Sequence, residues 1–197
     1  MNTRETIENI RKRLSVFVQF TDEEVAYFAQ FVEFRSFDKK KHIVSIGETD
    51  SFYNYVIKGL VRKYFYRGKE EIVTQIAKEN EIITATVTYE EQKPSTYILE
   101  TIEPTVFASI RKYKLVKLFE ESHKMEHLGR MLITNIYQQK ENWEYDRMRL
   151  NTRERFVQFI QNNSDLFQRV PQKYLASYLN IKPETFSRMK HLLQKRK

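Results

Sequence analysis

The chain has 197 residues, 41% of them hydrophobic and 30% charged, with four glycines and four prolines, which excludes collagen-like and low-complexity architectures. It contains no cysteine, so disulfides, thiolate nucleophiles, cysteine-ligated zinc and cysteine-held iron–sulfur clusters are excluded together. The formal charge of +8 is unevenly placed: from residue 171 onward seven bases face the single acid Glu184, giving +6, and the first 170 residues carry the other +2.

No stretch reaches the roughly 18 apolar residues of a membrane helix, and residues 1–14 mix acids and bases without an apolar signal region. The expectation is a cytoplasmic chain with no membrane partner. The first element is announced by Thr21-Asp22-Glu23-Glu24, a capping-box pattern that predicts a helix over 22–31. The apolar period then changes to two. Short β-branched and aromatic runs occupy 32–37, 42–46, 53–57, 60–66, 71–77, 82–88, 95–101 and 105–110, with Gly47, Gly59 and Arg67-Gly68 between runs. Eight short strands so spaced predict an antiparallel β-sandwich or β-roll.

After residue 110 no proline interrupts the chain until Pro171, and the period becomes helical. A short helix is predicted over 112–121 and a long one over 124–150, where Met125, Leu128, Leu132, Ile136, Trp143 and Leu150 recur at helical intervals. Such a stripe either packs on its own domain or forms a seam with a second copy; the expectation is a homodimer through Leu128, Leu132, Ile136 and Trp143. Asn151-Thr152 restarts the chain with a cap, and a further amphipathic helix is expected over 153–162. The predicted organisation is α+β, with a β-roll domain over 1–123, a long helix over 124–150 expected at a dimer seam, and a further helical domain over 151–197.

Residues 172–180 and 183–194 are two short helical patterns separated by a turn, the spacing of a helix-turn-helix. Ala176 lies where the helices cross, and Leu175, Leu179, Ile181, Phe186 and Met189 are spaced to fill the core between them. Asn180 falls where φ must be positive, and Pro183 suits a first helical turn because its missing N–H has no partner there. A solvated basic tail explains Lys195, Arg196 and Lys197, but not the bases interleaved with apolar residues further in. On the second helix Glu184 and Arg188 have the chemistry to read base edges, Glu accepting from cytosine and Arg pairing with guanine, while Lys182, Thr185, Ser187 and Lys190 can hold phosphates.

The run from Arg169 to Arg188, ArgValProGlnLysTyrLeuAlaSerTyrLeuAsnIleLysProGluThrPheSerArg, resembles the helix-turn-helix of Crp/Fnr-type regulators. Upstream, the stretch from Tyr53 to Phe65 is similar to the strand–Gly–strand of that family's cyclic-nucleotide-binding-like β-roll. The resemblance covers nearly the whole chain. It implies a sensor β-roll with an effector, a homodimer, double-stranded DNA and RNA polymerase as partners, and control of transcription without enzymatic activity. Glu184 and Arg188 match the family's base readers, and Lys182 and Thr185 its phosphate-holding positions. Pro183 departs from the Arg of cyclic-AMP-responsive members, so their consensus operator is not expected.

The effector region corresponds to residues 79–97. Glu81, Ser95 and Thr96 fit the family's ligand-binding positions, but Asn80 stands for a Gly and Pro94 for the phosphate-clamping Arg. Pro offers neither a cation nor an N–H, so regulation by cyclic AMP is not expected and the effector is left open. No metal or other cofactor is expected: His123, Glu126 and His127 fit a zinc-hydrolase pattern, but no third ligand accompanies them. The alternative to a DNA-reading regulator is a cyclic-nucleotide-binding-like sensor or scaffold acting through protein partners.

Overall fold

A computed structural model describes residues 3–194, with the side chains of 5–190; the basic run Lys195 to Lys197 lies outside the described residues. The chain forms two compact units. One comprises the chain up to Lys63 together with Ala77–Ile136, the other Tyr64–Ile76 together with the chain from Tyr137 on.

In the first unit, α1 (Thr3–Leu14) precedes α2 (Asp22–Ala29). The capping box of α2 forms as predicted: Thr21 Oγ1 accepts from the Glu24 N–H at 3.2 Å, and Glu24 Oε2 accepts from the Thr21 N–H at 2.9 Å. The helix α1 was not predicted, although Ile7, Ile10 and Leu14 recur at helical spacing among its charges. Eight strands follow: β1 (Glu33–Phe37), β2 (His42–Val44), β3 (Phe52–Lys58), β4 (Val61–Arg67), β5 (Glu70–Ala77), β6 (Ile82–Ile83), β7 (Ile98–Thr101) and β8 (Thr105–Arg111). They make two four-stranded sheets, ordered β1-β8-β3-β6 and β2-β7-β4-β5, with antiparallel registers such as Glu33 opposite Ser109 and Tyr55 opposite Ala108. Val44, Val56, Val61, Leu99 and Phe107, from both sheets, are buried together, so the period-two apolar faces meet as a sheet-on-sheet core.

The predicted strand over 82–88 is corrected. Only Ile82–Ile83 pair, and Thr86–Glu91 form a short helix, α3. The buried Asp50 carboxylate accepts from the Thr84 hydroxyl and the Ala85 N–H, both at 3.1 Å, which draws the backbone out of the ladder. A contact from 34 residues upstream thus overrides the local β preference of this β-branched run.

The helices α4 (Lys112–Glu121) and α5 (His123–Arg149) fall where the sequence predicts them. Gly129 of α5 meets the ring of Phe119, and a Cβ there would lie 2.5 Å from that ring, so the small residue allows α4 and α5 to approach closely.

The second unit holds α6 (Thr152–Asn162), α7 (Ser164–Arg169), α8 (Gln172–Tyr178) and α9 (Pro183–Gln194), together with most of the β4–β5 hairpin and the end of α5. Asn151 opens α6 with a capping box closed by Glu154. The core is aromatic: Phe156 meets Phe186 edge-on at 5.1 Å, and Trp143 of α5 stacks on Tyr178 of α8 at 4.8 Å with the rings 2° from parallel.

Candidate nucleic-acid interface

The helices α8 and α9 are joined by a turn built from its own sequence chemistry. Asn180 has φ +54°, a conformation Asn tolerates better than most residues, and the Ile181 N–H donates to the Ala176 carbonyl at 2.9 Å. Leu175, Ala176, Leu179, Ile181 and Phe186 are all buried, which makes the crossing point a packed core. Pro183 begins α9, and the first following N–H to close on the helix is that of Phe186, donated to the Lys182 carbonyl at 2.9 Å.

Burial of Phe186 fixes which side of α9 is left open. Pro183, Glu184, Ser187 and Arg188 then share one exposed face, with Glu184 and Arg188 one turn apart. Lys182, just before the helix, is exposed beside them. Thr185 and Lys190 are half-buried on the flanks; Thr185 Oγ1 lies 3.5 Å from Arg188 Nη2, and the Lys190 ammonium sits 5.7 Å from the centre of the Phe167 ring. The six residues chosen from the sequence are therefore brought together, four at the open face and two at its edges. An acceptor and a bidentate donor side by side on one helix, flanked by cations, is a chemistry suited to base edges and phosphates.

The four residues expected at a dimer seam divide. Leu128 is buried with Ile10, Leu14, Leu118 and Met125 of its own unit, and Leu132 packs on the same cluster. Trp143 stacks on Tyr178. Ile136 is 38% exposed, and Ile133, which the sequence reading passed over, is 56% exposed three residues before it. Of the four, Ile136 alone leaves apolar surface open, beside Ile133.

In the effector region, Ser95 is buried and its hydroxyl serves its own turn, donating to the Tyr97 carbonyl at 2.8 Å and accepting from the Tyr97 N–H at 3.1 Å. Its backbone is pinned to the Gly47 turn through Glu48 and Gly47. Glu81 is half-buried and accepts from the Lys78 N–H at 3.1 Å, and Thr96 is exposed. Asn80 has φ +70°, a conformation Asn tolerates better than most residues, and its Oδ1 accepts from the Tyr55 hydroxyl at 2.9 Å.

One charged residue escaped the sequence reading. Arg155 of α6 reaches back to the carbonyl of Arg147 in the last turn of α5 at 3.3 Å and to that of Leu150 just beyond it at 3.5 Å, while its buried Nε has no partner. Burial, and then the neighbouring Arg147, push its pKa below the ordinary arginine value.

No protein-family model and no curated protein sequence matches this chain. Solved structures do. FixK2 of Bradyrhizobium japonicum is similar with a TM-score of 0.69 at 16% identity, over 84% of this chain and 85% of that one. The c-di-GMP responsive global regulator CLP of Xanthomonas campestris gives 0.65 at 19% identity, over 87% and 90% of the two chains. A CooA mutant from Carboxydothermus hydrogenoformans gives 0.66 at 14% identity, over 84% and 78%. The chain thus has the fold of the Crp/Fnr-type regulators: antiparallel sheets of the cyclic-nucleotide-binding type, a long helix and a C-terminal helix-turn-helix. Among the described residues no helix is long and apolar enough to cross a membrane.

Proposed function

We propose that this chain is a transcription regulator of the Crp/Fnr type, not an enzyme, that binds pseudo-palindromic operators in duplex DNA as a homodimer and acts with RNA polymerase. The observation that carries this reading is the open face of α9, where Glu184 and Arg188 lie one turn apart beside Lys182 on a helix packed against α8 through Phe186. In this assignment Glu184 and Arg188 read bases, and Lys182, Thr185, Ser187 and Lys190 hold phosphates. Dimerisation is assigned to α5, with Ile133 and Ile136 supplying exposed apolar surface.

Cyclic AMP is not the effector in this reading. Pro94 has no cation for the phosphate, and the Ser95 hydroxyl is engaged with Tyr97. Absence of the buried charge-assisted contact lowers affinity by about a hundredfold or more. Calorimetry with cyclic AMP should give no micromolar binding; such binding, with tighter operator binding on its addition, contradicts the assignment.

The test of the function is the salt dependence of binding to duplex DNA, measured by fluorescence polarisation. Each neutralised phosphate releases counterions, so log affinity should fall linearly with log salt, with a slope of about −0.9 per phosphate contacted. Binding that is absent, or insensitive to salt, favours the sensor or scaffold that acts through protein partners.

A further inference from the structure

Ser177 lies on α8, on the side away from the buried Leu175, Ala176 and Leu179. Its hydroxyl accepts from the Val73 N–H at 2.9 Å and donates to the Glu71 carbonyl at 2.8 Å, bridging residues more than 100 positions apart in the chain. Both partners belong to β5, the edge strand of its sheet. In an extended strand the C=O of one residue and the N–H of the residue two further on point the same way, and at an edge this pair has no strand to receive it. The hydroxyl of Ser177 fills that place with one donor and one acceptor, as an adjacent strand would. Val73 is buried, so its N–H has no ready replacement partner in water.

The next residue, Tyr178, stacks face to face on Trp143. Consecutive residues of α8 thus grip two different elements, the edge of the β4–β5 hairpin and the end of α5. The recognition helix α9 packs on α8 in turn, and the hairpin residues Tyr64–Ile76 belong to the same compact unit. We infer that Ser177 is a positioning residue for DNA reading: within this unit it ties the helix-turn-helix to the hairpin, so that the direction in which α9 presents Glu184 and Arg188 is set by β5. This rests on the proposed DNA-reading function. Ser177 touches no base itself, and it acts through α8.

The experiment compares Ser177→Ala, Ser177→Val and Ser177→Thr in the full chain, with circular dichroism as the check on folding. Three quantities are read: amide exchange at Val73 by NMR, the emission of Trp143, which is the sole tryptophan, and affinity for a selected operator duplex. Ala and Val remove the hydroxyl, so Val73 exchange should accelerate about tenfold and Trp143 emission should shift as Tyr178 loosens. Operator affinity should fall about tenfold with an unchanged salt slope, because no phosphate contact is lost. Thr keeps the hydroxyl and should restore all three. Unchanged Val73 exchange in Ser177→Ala overturns the clasp. Faster exchange with unchanged Trp143 emission and unchanged operator affinity overturns the positioning role. If the wild type binds no duplex DNA, the DNA-reading function and the positioning role fall together, while Val73 exchange and Trp143 emission still decide whether the clasp exists.

Discussion

Replacing Gly59 by Ala should be among the most damaging single-methyl changes in this chain. Gly59 joins β3 to β4 with φ +107°, beyond the left-handed helical well that Asn or Asp can occupy, and its N–H donates to Glu79 Oε1 at 2.8 Å. A Cβ there would lie 2.7 Å from both the Pro104 carbonyl oxygen and Thr105 Cα. These are backbone atoms at the start of β8, so no side-chain rotation relieves the contact. Backbone strain of this kind costs about 1 to 3 kcal/mol, and forcing an added methyl into packed surroundings costs about 1 to 3 kcal/mol more. The lower entropy of the unfolded Ala chain offsets about 0.4 to 1 kcal/mol of this. The net expectation is a loss of about 1 to 5 kcal/mol, against an ordinary domain stability of about 5 to 15 kcal/mol. Gly68→Ala is the control, because Gly68 has φ +63° and nothing within 4 Å of the added Cβ; strain alone should cost about 1 kcal/mol. Urea unfolding of both variants reads the difference as a shift in midpoint at constant slope. Equal losses at the two positions would refute the argument, since both would then reflect backbone strain without the close approach to β8.

Arg188→Ala should cost about 1 to 3 kcal/mol of operator affinity and relax preference at one base pair per half-site, measured by competition with single-base variants. Lys182→Ala should weaken binding to all sequences alike and lower the salt slope by about one, and equal loss of specificity in the two variants would contradict the assigned roles. Sedimentation should give a dimer at micromolar concentration, and Ile136→Lys should shift it toward monomer; a wild-type monomer with full operator affinity would sink the dimer assignment. The Glu33 carboxylate is held below the ordinary carboxylate range by its bond to the Lys114 ammonium at 2.9 Å and, secondarily, by Arg111 at 3.1 Å. Its folded pKa is thus depressed, so its stabilisation is present above the ordinary unfolded value of about 4.3 and is lost as pH falls through the lower folded value. Glu33→Gln should therefore be less stable at neutral pH and lose less stability below about pH 4 than the wild type; parallel acid limbs in the two proteins would count against the pairing.

Features set by nearby residues were legible in the sequence. Asn180 and Pro183 announce the turn and the start of α9 because positive φ and the missing N–H are properties of those residues wherever they stand. The limits of α4 follow from the change of period after β8. Features set by distant residues were not legible. The run Ile82, Ile83, Thr84 is β-branched throughout, as strands often are, and nothing local announces that Asp50 will take the Thr84 hydroxyl and the Ala85 N–H. A helical period shows that Leu128, Leu132 and Trp143 share a face but not what covers it, which is the cluster around Leu14 and Leu118 in one half of α5 and Tyr178 in the other. Ser177 is the extreme case, since a serine in a short helix reads as solvated until β5 is folded beside it.

Selection of random duplexes by the purified 197-residue chain, followed by sequencing, bears most directly on the central claim that a dimer reads DNA through α9. The selected fragments should share a pseudo-palindrome whose half-sites are centred about one helical turn, or about 34 Å, apart, and Arg188→Ala should lose preference at one base pair in each half-site. Fragments no more alike than the starting pool, or a single unpaired half-site bound with full affinity, would contradict it.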